Sequence, residues 1–148
     1  MPLSPQHDLL LNLAFQRSLA DFETALTRLM GALELAGWAC IFPPSLDAGG
    51  RRIMIAKGVR STGADQQMLQ QLNQAQTRDE AQSALIQIAE QMAPDPAANR
   101  RAFTMRPPGQ QGDFLFLCFR MEPDFDDAEQ VLLQDLGRNV LRCFILLS

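Results

Sequence analysis

With 148 residues and 47% hydrophobic content, the chain is long enough for one domain that buries roughly 70% of its unfolded surface without disulfides or metal. A net charge of −4 gives no general pull toward nucleic acid or an anionic membrane, and no apolar run reaches the length of a membrane span. The start, MPLSPQHDLLLNLAF, lacks the basic region and small-residue cleavage site of a signal peptide, so a cytoplasmic setting is expected, with no membrane and no direct nucleic-acid partner.

In chain order, Asp8 to Arg17 predicts a helix carrying Leu9, Leu10, Leu11, Leu13 and Phe15, more apolar residues than a lone helix keeps in water. Residues 1–17 are therefore an N-terminal apolar arm, either folded back on its own domain or paired with a second copy. Ser18 and Asp21 mark the next helix start, after which Leu19, Phe22, Leu26, Leu29, Leu33 and Ala36 repeat at three-and-four spacing until Gly37 closes the helix. Trp38 to Phe42 is a strand ended by Pro43-Pro44. Arg52 to Lys57, beyond the SLDAGG loop, is its hairpin partner.

Ala64 to Gln76 is a glutamine-rich helix with Met68, Leu69, Leu72 and Ala75 on one face. Thr77 and Glu80 form a capping box for a further helix with Ala81, Ala84, Leu85, Ile88 and Met92 as its stripe, stopped by Pro94. Ala102 to Arg106 is a third strand, joined through PPGQQG to Phe114–Phe119. Six consecutive apolar residues there predict a central strand buried on both faces. Asp126 and Glu129 have capping-box spacing, and Leu133, Leu136, Val140, Phe144 and Leu147 share one face of the last helix. Two hairpins separated by helices imply an α+β fold: a central antiparallel sheet of about four to six strands with amphipathic helices on its faces. The first and last helices would cover one face and the two middle helices the other, with the strands ordered second, first, last, third.

The segment SLADFETALTRLMGALELAGWACIFPPSLDAGGRRIMIAKG resembles the opening of a GAF domain, and FLFLCFRMEPDFDDAEQVLLQDLGRNVLRCFIL resembles its close. Residues 18–148 are thereby identified as GAF-like. The resemblance implies a regulatory or sensor module that dimerises through its terminal helices and holds a small ligand against one sheet face, controlling an attached or partner signalling enzyme or transcription regulator. The cyclic-nucleotide subtype carries an Asn-Lys pair, a Phe and an Asp-Glu after the central strand. Phe119-Arg120, Phe125 and Glu129-Gln130 stand there instead, which puts that ligand class in doubt. An interaction scaffold of the same fold without a ligand is the alternative.

No catalytic constellation emerges. The sole histidine, His7, lies in the N-terminal arm, and Cys40, Cys118 and Cys143 sit in core elements without metal-ligand spacing. No cofactor or metal is expected, and a thiol enzyme using Cys40 or Cys118 is the weakest alternative. Gly49-Gly50 reads as a turn, and Asp124, Asp126, Asp127 and Glu129 read as helix-start acids. Arg51, Arg52, Lys57, Arg60, Arg100, Arg101 and Arg106 read as solvated edge charges, with Arg106 and Arg120 as candidates for a phosphate or carboxylate ligand. A hollow between the sheet and the middle helices would be lined by Trp38, Met54, Phe103, Met105 and Phe116. Apolar residues all round CFILL, together with LLLNLAF, suggest a homodimer through Leu10, Leu13, Leu141 and Ile145. An end inside an apolar helix is taken as a hint of continuation into an effector.

Overall fold

The computed structural model describes residues 7–44, 52–59, 64–91, 98–106 and 113–147. Among them, five helices and four strands follow in the order α1 (His7–Ala14), α2 (Leu19–Gly31), β1 (Gly37–Ile41), β2 (Met54–Lys57), α3 (Ala64–Gln74), α4 (Arg78–Gln91), β3 (Asn99–Met105), β4 (Phe114–Arg120) and α5 (Asp127–Leu147). The sheet is antiparallel in the order β2-β1-β4-β3, with the two expected hairpins as its halves and β1 paired to β4 between them.

Local sequence explains most boundaries. Ser18 caps α2 by accepting from the Asp21 amide at 3.1 Å. Thr77 accepts from the Glu80 amide at 3.2 Å, and the Glu80 carboxylate reaches back to the Gln76 amide. At α5 the box is reciprocal: Asp126 accepts from the Glu129 amide at 2.7 Å and Glu129 accepts from the Asp126 amide at 3.1 Å.

Strand pairing sorts side chains onto two faces. Trp38 lies opposite Cys118 and Cys40 opposite Phe116 across β1 and β4. With Phe42, Ile55, Phe103, Met105 and Phe114 they pack against α1, α2 and α5 in one apolar cluster. Ala39, Ile41, Leu115, Leu117 and Phe119 point the other way and meet Leu72, Leu85 and Ile88 of α3 and α4. β4 is thus buried on both faces from Phe114 to Phe119, and each aromatic ring so removed from water is worth about 2 kcal/mol. Phe42 stacks on Phe144 of α5 at 4.2 Å, with Phe22 and Phe114 against the same ring.

Two expectations are corrected here, and the N-terminal arm takes one of its two expected courses. Helix α2 does not run to Gly37. It ends at Gly31, and Glu34 adopts φ 57°, the left-handed turn that frees Gly37 to begin β1. Gly37 abuts Gly58, where φ is 75° and a Cβ would come within 2.5 Å of the Ala36 carbonyl oxygen. The N-terminal arm packs on α2 and α5, with Leu13 fully buried in its own domain. Arg52 is not a solvated edge charge: it is buried, and its guanidinium donates to the Asp113 carbonyl at 2.6 Å. The SLDAGG and PPGQQG loops, Arg51, Arg60 and Met92 lie outside the described residues.

Candidate binding groove

Leu72, Leu85 and Ile88 of α3 and α4 pack against the sheet, and the side chains named as lining a hollow there do not share one face. The register gives the reason: Met54 pairs with Ile41, three residues along β1 from Trp38, and an odd separation puts the two on opposite faces. Trp38, Phe103, Met105 and Phe116 belong to the α1–α2–α5 side, and Met54 to the other. Of the candidate dimer residues, Leu13 and Leu141 fill the domain's own core, while Leu10 and Ile145 pack partly buried against it. The large apolar side chains left outside include Leu11, Phe15 and Leu146.

Beyond the end of the sheet a groove of about 710 Å³ opens between two connections. One wall is the turn Leu33–Ala36 leading into β1. The other runs from Arg120 at the end of β4 through Met121, Glu122 and Pro123 to Phe125 and the first turns of α5, with Ala128, Leu132 and Leu133. The Ala36 amide donates to the Phe119 carbonyl at 2.8 Å, continuing the β1–β4 ladder to the groove and fixing the spacing of its walls.

Arg120 organises the second wall. Its guanidinium meets the Glu129 carboxylate at 2.5 and 2.8 Å, and donates to the carbonyls of Pro123 and Asp124, both at 2.9 Å. It also lies over the Phe125 ring at 4.5 Å. Arg101 pairs with Asp124 at 3.0 Å on the neighbouring strand, tying the same connection to β3. Arg120, and to a lesser degree the Asp126 amide, hold the Glu129 carboxyl well below the usual carboxylate range, at about 2. The bond to Glu129 also raises Arg120.

Of the residues proposed from sequence for ligand contact, Arg120 alone lines this groove. Arg106 pairs with Asp113 at 2.9 Å, and Arg100 donates to the Ala89 carbonyl, tying β3 to α4. The phosphate or carboxylate reading of Arg106 and Arg120 therefore meets two guanidinium groups already committed to carboxylates. Leu33, Glu34, Leu35 and Ala36 escape sequence reading because three-and-four spacing continues α2 through them. The Asp126–Glu129 box is visible in sequence, but its second task as partner of Arg120 depends on how the intervening connection folds.

Thiol chemistry has poor prospects. Cys40 and Cys118 are fully buried, and desolvation pushes both thiols well up from their ordinary value. Cys143 is raised for the same reason. Among the described residues no group of His, Cys, Asp and Glu is arranged to hold a metal ion, and no helix is long and apolar enough to cross a membrane. Set against protein-family models, curated proteins and solved structures, the chain matches none.

Proposed function

We propose that the chain is a GAF-like regulatory module that binds a small ligand without transforming it and passes occupancy to an attached or partner effector. The observation that carries this reading is the groove between the α2–β1 turn and the start of α5. Its volume lies within the range of small-molecule sites, and its lining combines Leu33, Leu35, Phe125, Leu132 and Leu133 with a few charged groups. Its position supports a relay. A ligand that contacts the first turn of α5 biases a 21-residue helix that also packs against α1 and α2. The order of helices and hairpins around one antiparallel sheet supports the GAF-like assignment, and the burial of the thiols supports a non-enzymatic role. The site proposed here differs from the sheet-face site that the resemblance implies, because it lies beyond the end of the sheet, between the α2–β1 turn and the start of α5.

A thermal-shift screen of small metabolites on the wild type and on Ala128→Trp tests the reading. Ala128 is an exposed residue of the groove wall, so the variant fills the groove and leaves the core intact. A saturable stabilisation in the wild type that Ala128→Trp removes supports it. Stabilisation that survives Ala128→Trp places the ligand elsewhere.

The second reading is an interaction scaffold that homodimerises and takes no ligand. Two observations favour it: apolar side chains pack on both sheet faces, and Phe15 just after α1 and Leu146 in α5 remain 76% and 71% exposed.

A further inference from the structure

The chemistry of the groove's lining points to the charge of its ligand. Apolar side chains from Leu33, Leu35, Met121, Pro123, Phe125 and Leu132 offer a body of hydrocarbon contact. Around them stand Glu34, Glu122, Asp126 and Glu129 against the single guanidinium of Arg120, a formal net charge of −3. That guanidinium offers an anion one N–H at most: four of its five N–H groups are engaged, two of them on Glu129. For a bidentate contact an incoming carboxylate or phosphate has to displace Glu129 and leave its charge unpaired at the groove wall, beside further carboxylates. A neutral ligand gains the apolar contact only. A cation gains both, because Glu34 and Glu122 are exposed carboxylates without an ion-pair partner among the described residues, one on each wall.

Resting on the groove reading above, we infer that the ligand is a cationic amphiphile: a primary or quaternary ammonium carried on an apolar chain or ring. The hydrocarbon part occupies the space between Leu35, Phe125 and Leu132, and the ammonium sits between Glu34 and Glu122. Arg120 and Glu129 serve as a closed pair that shapes the wall and makes no contact with the charge.

The test is calorimetric titration of the full chain with three probes of equal length below their micellar concentrations: octylammonium, octanol and octanoate. The inference expects octylammonium to bind more tightly than octanol, and octanoate most weakly. In the double variant Glu34→Gln, Glu122→Gln, octylammonium affinity falls about fivefold to tenfold and octanol affinity is unchanged, as expected for the loss of two solvent-facing carboxylates near one cation. Raising the salt concentration narrows the gap between octylammonium and octanol in the wild type and leaves it unchanged in the variant. Equal binding of octylammonium and octanol, or preference for octanoate, overturns the charge assignment while the groove reading stands. Failure of all three probes to bind at a site blocked by Ala128→Trp overturns both. Since both glutamates are exposed and outside the core, far-UV circular dichroism and the thermal midpoint of the variant should match wild type, which separates lost recognition from lost fold.

Discussion

At the scale of single residues, Glu34 and Arg120 do the most to shape the groove. Glu34 holds a left-handed φ that costs a non-glycine residue about 1 kcal/mol, so Glu34→Gly is expected to raise stability by a similar amount, read as a higher urea midpoint. Arg120 joins Glu129 to two backbone carbonyls of the β4–α5 connection, so Arg120→Met should cost about 2 kcal/mol at neutral pH. The pH dependence has a definite sign. Because Arg120 holds the folded-state Glu129 carboxyl down at about 2, against an ordinary 4.5, its contribution is complete above about pH 5 and is lost as pH falls toward 2. The gap between wild type and Arg120→Met is therefore widest at neutral pH and closes between about pH 5 and 2 in urea melts. A gap that stays constant across that window would show that the ion pair contributes nothing.

At the scale of elements, α5 lies close against the sheet because Gly137 lets it. A Cβ at Gly137 would fall 2.8 Å from the ring of Phe116, a side chain with no room to retreat, and 3.1 Å from the Met105 methyl group. Alanine gains about 1 kcal/mol of helix propensity, while forced displacement of a buried ring costs about 1–3 kcal/mol. Gly137→Ala is therefore expected to lower the thermal midpoint, with a rise showing that the contact is slack. Such element contacts also mark how far the sequence alone could be read. The two hairpins, the buried central strand, the helix start at Ser18 and the capping boxes at Thr77 and Asp126 were legible, because each depends on residues within a few positions or on simple patterning. The groove was not. Its near wall follows from a left-handed turn at Glu34 inside a stretch that keeps helical spacing. Its far wall follows from Arg120 meeting Glu129 across a connection with no periodicity. The face assignment of Met54 depended on a register that β1 and β2 settle only on pairing.

At the scale of the whole molecule, the domain is two apolar layers on one sheet, with the groove at the end where α2 stops and α5 starts. Leu13 and Leu141 are spent inside the domain, so a homodimer through the terminal segments would use the outer surfaces that carry Leu11, Phe15 and Leu146. Under that proposal the wild type sediments as a dimer, and Phe15→Glu combined with Leu146→Glu as a folded monomer. A wild type that stays monomeric at high concentration removes the dimer. The central claim is that the groove, and not a sheet face, receives the ligand. The most direct measurement is an amide chemical-shift map of the labelled protein titrated with the best stabilising compound. The account predicts that perturbed amides cluster at Leu35, Ala36, Met121, Phe125 and Glu129. A cluster on α3 and α4, or along β2 and β3, would contradict it.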